Sequence, residues 1–536
     1  MDFISWGDIV DIFEKKSPLF DILQLCCIIN ITKIRKSYFR AICSDISTAR
    51  FCKKGVFVMF IGRERELAAL ALLLEKGTAS IVACRGRRRI GKTTLIKEFA
   101  NRNGLKLINI DGLPLRKRQA NHDQLVNFAL KLAKSTGHDI GIPQNWFEAF
   151  GMLSKSIDDS IRTVVLLDEV SWMGHYDDDF AGYLKSAWDD ELKSHDKLIL
   201  VICGSVSSWI RKNILNNAGF GGRFSRDIVL GELTPAECTA FWGDKATRLA
   251  TRDIIDVLSV TGGVPQYLEE VNPSLSADEN IKRLFFHPDG PLFKDFKAMF
   301  NEVFGETAVQ KGDILRHLSE RTMTLSELAD DFNIERGGGL SNNLKDLCEA
   351  GFLSADKGFE PGTGKETKEI RYRIRDNYTR FYLKFVEPEE ANIRNGHYEF
   401  ISLGMLPGWE SVMGLAFENL VVNHAMTLME ALHLGGVPIL SAAPYSRRAR
   451  KDGTGGVQID LLVQARKAIC LVEVKRQKHI GEEVEHEVAE KVARLNVRKG
   501  ISVRTALVYD GELADVVRGD SYFDAIVSSR ELLGLK

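Results

Sequence analysis

Surplus charge of either sign is missing: 72 Lys and Arg stand against 73 Asp and Glu, a net charge of −1. A protein that meets nucleic acid with its whole surface is strongly basic, so any such contact here falls to a local patch. Also missing is an apolar run of the roughly 18–20 residues that cross a bilayer. The nearest approach, FDILQLCCIINI (Phe20–Ile31), is short and broken by Asp21. Glu14, Lys15 and Lys16 precede it without a small-residue cleavage pattern, which argues against a signal peptide. No pair of the nine cysteines has zinc-ligand spacing, and an odd number suits no closed disulfide framework. Reduced thiols and a cytoplasmic location are expected, with no membrane partner. Internal repeats and low-complexity tracts are absent as well. What is present is ordinary globular composition, 44% hydrophobic and 27% charged over 536 residues. That length suggests roughly three or four domains.

Residues 1–58 hold four of the cysteines (Cys26, Cys27, Cys43, Cys52) and follow no strong period. They are expected to be a poorly packed extension or a start-site artefact. From Glu64, ERELAALALLLEKG has helical periodicity and ends at a Gly stop signal. Four short apolar runs then read as buried strands: Ser80–Gly86, Leu105–Gly112, Arg162–Val170 and Lys197–Ser205. Helical stretches separate them, the pattern of a parallel sheet covered on both faces. After Leu230 the strand signal fades into helical period.

Between the first strand and the next helix stands Gly86-Arg87-Arg88-Arg89-Ile90-Gly91-Lys92-Thr93, followed by Thr94. It fits G-x-x-x-x-G-K-[ST] in the strand–loop–helix context that phosphate binding needs. Glycines let backbone N–H groups turn toward phosphate oxygens, and the helix N-terminus adds partial positive charge. Lys92 is expected to reach the β- and γ-phosphates, and the Thr93 hydroxyl to bind Mg²⁺. VVLLDE ends the third strand with Asp168 and Glu169. Asp168 is expected to help hold the hydrated Mg²⁺, and Glu169 to act as general base on the attacking water. ATP is the expected nucleotide, with the guanine-reading motif N-K-x-D not evident after the fourth strand and the choice against other nucleotides left open.

Five motifs in order, GRERE, GRRRIGKTTL, LLDEVSW, CGSVSSW and TGGVPQYL, resemble the archaeal-type ATPases of the AAA+/STAND-like P-loop group over about residues 59–385. The resemblance implies that Phe60–Glu64 lies near the adenine and that Ser205 senses the γ-phosphate. It offers Arg223, in GFGGRFS, as an arginine finger, against an ordinary surface arginine as the alternative. Gly263 and Pro265 would mark a small helical lid, whose usual arginine is not evident.

Residues 306–385 change character. Leu325–Ile334 followed by Ser341–Ala350 has helix-turn-helix spacing, with Ser341, Asn342 and Lys345 outward. Arg371, Arg373 and Arg375 alternate on one strand and share a face, as a basic wing on double-stranded DNA would require. Packing against protein is the competing use, and Asp330, Asp331 and Glu335 weaken the DNA case. Val386–His397 reads as a polar linker. Residues 411–536 read as helix, strand, strand, helix, strand, strand, helix.

In that last segment Asp460 falls on one strand, and Glu473 and Lys475 share a face of the next. Charge on a buried strand is costly unless it serves a metal or a partner. With Glu418 on the preceding helix, the set resembles the restriction-endonuclease-like PD-(D/E)-x-K pattern. That resemblance implies that Glu418, Asp460 and Glu473 hold Mg²⁺ and that Lys475 positions or activates a water. The competing reading is a nuclease-like fold kept for binding or assembly. His424 and His479 lie nearby and receive no role.

The expected whole is a multidomain α/β chain. Its parts are an extension (1–58), a P-loop parallel-sheet ATPase core (59–230), a helical lid (231–304) and a winged helix-turn-helix (305–385). A linker (386–410) and a restriction-endonuclease-like α/β domain (411–536) complete it. The expected function is a Mg²⁺-dependent ATPase that regulates the appended parts, with an ATP-gated DNA endonuclease or a non-cleaving DNA- or protein-binding switch as alternatives. A homo-oligomer is a further expected partner.

Overall fold

The computed structural model describes residues 49–51, 57–116, 120–205, 207–334, 338–449, 455–495, 497–519 and 521–535. The chain divides into two compact units, residues 1–60 and residues 61–536. In the first, β1 (Ala49–Phe51) and β2 (Phe57–Met59) pair antiparallel, Ala49 opposite Met59. The expected extension otherwise lies outside the described residues, with its four cysteines and, further on, Glu335.

The second unit opens with α1 (Glu64–Ala71) and a five-stranded, all-parallel sheet. Its strands are β3 (Ser80–Arg85), β4 (Lys106–Asp111), β5 (Thr163–Asp168), β6 (Leu198–Gly204) and β7 (Phe224–Val229), in the order β4-β5-β6-β3-β7. Every residue of β5 and β6 is buried. Apolar strands without alternation need cover on both faces, and helices supply it. α2 (Lys92–Arg102), α3 (Asn121–Thr136), α4 (Trp146–Lys155) and α5 (Phe180–Asp190) follow the strands in turn. Ile108, Ile110, Val165, Leu167, Leu200 and Ile202 pack against Phe128, Trp146, Phe150 and Phe180 in one core. The fifth strand, β7, was not expected from the sequence. FSRDIV is half exposed and carries Arg226 and Asp227, the marking of an edge strand rather than a buried one.

The longer helices that follow are α6 (Thr251–Thr261), α7 (Ala277–Phe285), α8 (Pro291–Phe304) and α9 (Ala308–Glu320). β8 (Met323–Thr324), α10 (Leu325–Asp331), α11 (Gly338–Glu349), β9 (Leu353–Phe359) and β10 (Glu366–Ile374) then form a small antiparallel sheet, order β8-β10-β9, with two helices. α12 (Asn377–Phe381) begins at Asp376, whose side chain accepts from Thr379 N.

The segment expected to be a linker is folded. Ile393 and Leu403 are fully buried, Tyr398 stacks on Phe286, and Leu403 N donates to Asp278 of α7. Its few apolar residues decide its packing although its composition is polar.

The C-terminal segment contains α13 (Trp409–Asn423), β11 (Ile439–Arg447), β12 (Val457–Ala465), β13 (Ala468–Ile480), α14 (Glu483–Leu495), β14 (Ser502–Leu513) and β15 (Ala525–Ser528). β11, β12 and β13 pair antiparallel, and β13, β14 and β15 run parallel. Three strands therefore precede α14 where two were expected. The missed one, β11, contains Pro444, and its register shifts between Ala443 and Tyr445. Proline lacks the N–H that a central ladder needs, so its strand belongs at an edge, which is where β11 lies.

The parts expected as separate domains after residue 60 form one unit. Arg476 of β13, with 1% of its side chain exposed, bonds Asp256 of α6 at 2.6 Å and Glu410 of α13 at 2.7 Å. Arg252 of α6 reaches Asp510 of β14 at 3.2 Å. Among the described residues no helix is long and apolar enough to cross a membrane.

Candidate functional site

The loop from Gly86 to Gly91 joins β3 to α2. Gly91 caps α2 with φ 89°, a left-handed conformation that glycine adopts without strain. A Cβ on Gly86 would meet Leu230 O at 2.4 Å, so only glycine fits there. Lys92 is buried, and its Nζ donates to Gly86 O at 2.9 Å and Arg87 O at 3.0 Å. Thr93 Oγ1 donates to Asp168 Oδ2 at 2.5 Å. Burial pushes the Asp168 carboxyl above its ordinary value, against the Thr93 hydrogen bond, which lowers it. Glu169 follows at φ 48°, an uncommon conformation for a non-glycine residue. Its Oε2 accepts from Ser205 Oγ at 2.8 Å and Ser205 N at 3.1 Å. Lys92, Thr93, Asp168, Glu169 and Ser205 thus gather at the C-terminal ends of β3, β5 and β6, where open α/β sheets bind ligands.

The three loop arginines were expected to bind the nucleotide, but their side chains are engaged elsewhere. Arg87 forms a bidentate pair with Asp376, at 2.6 and 3.1 Å, and reaches Glu232 at 3.3 Å. Burial alone would lower the Arg87 guanidinium, but Asp376, Tyr267 and Glu232 outweigh it and hold it above its ordinary value. Arg88 pairs with Glu302, and Arg89 with Asp295, both on α8. The side chains anchor the loop to later elements, which leaves the backbone N–H groups of Gly86–Thr94, Ile90 included, as what the loop can offer a ligand. The sequence could not disclose this, because the acids lie more than 140 residues downstream.

The turn at Gly262 and Gly263 draws the helical segment onto the loop. Gly263 N donates to Glu232, and Gly263 O accepts from Leu233 N at 2.8 Å. A Cβ on Gly91 would stand 3.9 Å from Pro265 Cγ. Arg223, the candidate finger, makes a bidentate pair with Asp189 at 2.9 and 2.8 Å. These hydrogen bonds hold the Asp189 carboxyl down to about 2. None of the bonds of Arg223 reaches the Lys92–Ser205 group, which favours the surface reading within one chain.

Behind the loop lies a cavity of about 740 Å³. Arg63 and Glu64 line one side, Gly231 and Glu237 another, and His424 and Leu440 of the C-terminal segment a third. Arg63 Nη2 donates to Gly231 O at 2.7 Å and to Ile90 O of the phosphate loop at 3.2 Å. His424, which sequence reasoning left without a role, is 9% exposed, and its Nε2 has no hydrogen-bond partner. Burial, reinforced by Arg375 and Arg63 and opposed by Glu237, pushes its imidazole down to about 4 from 6.5. Between these values the unfolded chain binds the proton and the folded chain does not. The stability His424 contributes is therefore complete above pH 6.5 and lost as pH falls toward 4, by about 3 kcal/mol. Urea unfolding across pH 4–7 should show a shallower acid slope in His424→Asn than in the native chain. Equal slopes would contradict this accounting.

The second candidate site lies in the C-terminal sheet. Asp460 of β12, Glu473 of β13 and Glu418 of α13 are close enough to act on one another electrostatically. Burial, then Glu418 and Glu473, pushes the Asp460 carboxyl up to about 8. Asp460 Oδ2 accepts from Val474 N at 2.8 Å. Lys475 bonds Glu473 at 3.1 Å and Glu487 at 2.5 Å. Lys491 of α14 donates to both oxygens of Glu473, at 2.8 and 2.5 Å. Among the described residues, no group of three or more His, Cys, Asp or Glu side chains is arranged to hold a metal ion. As the side chains stand, the set expected to bind Mg²⁺ does not fit one. His479 is exposed.

The three strand arginines do not form a free basic face. Arg373 is buried, bonded to Asp356 of β9 and to Asn419 and Asn423 of α13. Arg371 pairs with Glu369 and Glu327. Period-two spacing put these side chains on one face, but only Arg373 packs against α13, and Arg375 falls just past the end of β10, where it is exposed. Ser341, Asn342 and Lys345 are exposed on α11.

Residues 60–271 match the family model of an ATPase domain predominantly from Archaea. An uncharacterized protein of Methanocaldococcus jannaschii, MJECL04, is 23% identical over 375 residues, 69% of this chain and 78% of its own length. The uncharacterized ATP-binding protein MJ0423 of the same organism is 40% identical over 53 residues, 10% of this chain and 90% of its own. Among solved structures, the Walker-type ATPase PABY2304 of Pyrococcus abyssi aligns with a TM-score of 0.44 at 15% identity, over 61% of this chain and 96% of its own. The matched segment, residues 60–271, contains the glycine loop, the paired acids Asp168 and Glu169, and the parallel sheet.

Proposed function

We propose that this domain binds ATP with Mg²⁺ and hydrolyses it. One observation carries the reading: Thr93 meets Asp168, and Ser205 holds Glu169, at the mouth of the glycine loop. The loop N–H groups and the N-terminus of α2 receive the phosphates, and Lys92 turns from its loop carbonyls to the β- and γ-oxygens. The Thr93 hydroxyl and Asp168 carboxylate are hard oxygen donors suited to Mg²⁺. Bound there, Mg²⁺ neutralises charge on the terminal phosphates. Glu169, oriented by two bonds from Ser205, accepts a proton from the attacking water. The cavity beside Arg63 supports a place for the nucleoside, next to the GRERE segment. Glu169→Gln should leave ATP affinity within about threefold and reduce phosphate release by about 10²–10⁴-fold. Full turnover in that variant would remove Glu169 from the mechanism.

The small three-stranded unit and the C-terminal sheet support a second reading, a winged helix and a PD-(D/E)-x-K-like domain regulated by the ATPase. The nearness of Glu418, Asp460 and Glu473, which act on one another electrostatically, supports it, while their arrangement, which does not fit a metal ion, weighs toward a fold kept for binding. The internal pairing of Arg371 and Arg373 weighs against the strand as a DNA wing and toward protein packing. Incubation of supercoiled plasmid with the full chain, Mg²⁺ and ATP tests cleavage, and intact plasmid under all conditions would leave a non-cleaving switch. Native mass spectrometry with and without ATP tests self-association, on which a finger role for Arg223 between subunits depends.

A further inference from the structure

Three short turns meet where β13 and β14 begin. The first joins β9 to β10 (residues 360–365), the second joins β12 to β13 (Arg466 and Lys467), and the third runs into β14 (residues 497–501). Ser502 N donates to Lys467 O at 3.0 Å, which ties the third turn to the second. Gly362 N donates to Gln464 Oε1 at 2.6 Å, and a Cβ on Gly362 would stand 3.6 Å from Arg498 N. The first turn is therefore seated against the other two. Lys365, Arg466, Lys467, Arg498 and Lys499 are all exposed, and among the described residues none of them is ion-paired. Of the nearby acids, Glu366 is held by Lys357 at 2.7 Å, Asp524 accepts from Thr505 N at 2.9 Å, and Glu360 accepts from Thr363 Oγ1 at 3.4 Å. Cations gathered without carboxylate partners repel one another, and a bound polyanion relieves that repulsion.

We propose that these turns form a docking surface for the phosphate backbone of double-stranded DNA. The net charge of the chain is −1, so a surface for a polyanion must be local, and this one is. Arginine offers a phosphate a fork of donors and lysine a mobile point charge, and each turn supplies one or both. Single strands bind by stacking their bases on aromatic rings. Residues 360–366, 465–467 and 497–501 contain no aromatic side chain, which leaves the backbone of a duplex as the partner the patch fits. The winged-helix reading placed Arg371 and Arg373 on DNA. Those two are spent on Glu369, Glu327 and Asp356, whereas the turn at the far end of the same hairpin keeps Lys365 exposed. Contacts of this kind hold a duplex in place without reading its sequence. They need neither ATP hydrolysis nor a metal ion.

Fluorescence anisotropy of a short labelled DNA duplex of mixed sequence, with the full chain in EDTA and without nucleotide, tests the surface. The native chain should bind, and a plot of log affinity against log salt should have a slope of about −4.5, about −0.9 for each of five phosphate contacts. Arg466→Gln, Lys467→Gln, Arg498→Gln and Lys499→Gln combined should weaken binding at low salt at least about tenfold and bring the slope to about −1. Lys345→Gln, on the exposed face of α11, should leave affinity and slope unchanged. Should the fourfold variant fail to fold, Arg498→Gln with Lys499→Gln should still make the slope shallower by about 2. Full binding by the fourfold variant would overturn the proposal. Loss confined to Lys345→Gln would also overturn it, moving the contact to the helix-turn-helix and leaving the winged-helix reading in place. A native chain that binds no duplex would overturn it as well, whether or not that chain sediments with phosphatidylserine vesicles.

Discussion

Lys92→Ala is expected to lower ATP turnover by about a thousandfold, the scale seen when one charge-stabilising donor leaves a pre-organised site. Lys92 is buried in its own loop and donates to Gly86 O and Arg87 O. Two effects therefore combine. The variant loses the cation that meets the β- and γ-phosphates, and two loop carbonyls lose the ammonium that helps curl them. Thr93, Asp168, Glu169 and Ser205 remain, so the defect should fall on nucleotide binding and turnover together, with the fold preserved. Steady-state phosphate release and calorimetry with ATP separate the two effects. Native turnover in the purified variant would sink the ATPase assignment.

Asp376→Ala is expected to destabilise the unit by about 3–5 kcal/mol, the usual cost of removing one partner of a buried ion pair. Asp376 is fully buried. It holds Arg87 by two bonds and caps α12 by accepting from Thr379 N at 3.2 Å and Thr379 Oγ1 at 2.5 Å. Without it, Arg87 retains Glu232 at 3.3 Å in a site too dry to hydrate a guanidinium. Asp376→Asn keeps the cap and loses the charge, so it should fall between alanine and the native residue. The loss reads directly as a shift in urea midpoint. It should be accompanied by weaker ATP binding, because Arg87 lies inside the phosphate loop. A shift worth less than about 1 kcal/mol, the worth of a typical cap alone, would mean that the Arg87–Asp376 pair contributes nothing net.

The glycine loop and the acids beside it were legible because their placement follows from local rules. A glycine loop between a buried strand and a helix is a local pattern, and VVLLDE ends where its strand does, beside that loop. Four of the five strands of that sheet were found for the same reason: they are apolar runs. β7 and β11 were missed because edge strands carry charge or proline and lose the apolar signature. The linker was misjudged because three apolar side chains in a polar segment outweigh its average composition. Arg373 looked like a DNA contact because alternation gives the face of a strand but not what covers that face. Lys491 was invisible for a further reason. It reaches Glu473 across 18 residues, from the helix that follows the strand, and no spacing rule predicts such a meeting.

The sequence alone determined the parallel sheet, the glycine loop and the acids that face it, since strand burial, loop conformation and helix start are settled within a dozen neighbouring residues. Tertiary structure alone decided that Arg87, Arg88 and Arg89 anchor the loop, that Arg223 pairs with Asp189, and that Lys491 meets Glu473. Each of these is an ion pair between separate elements, and its existence depends on how the completed fold packs those elements together.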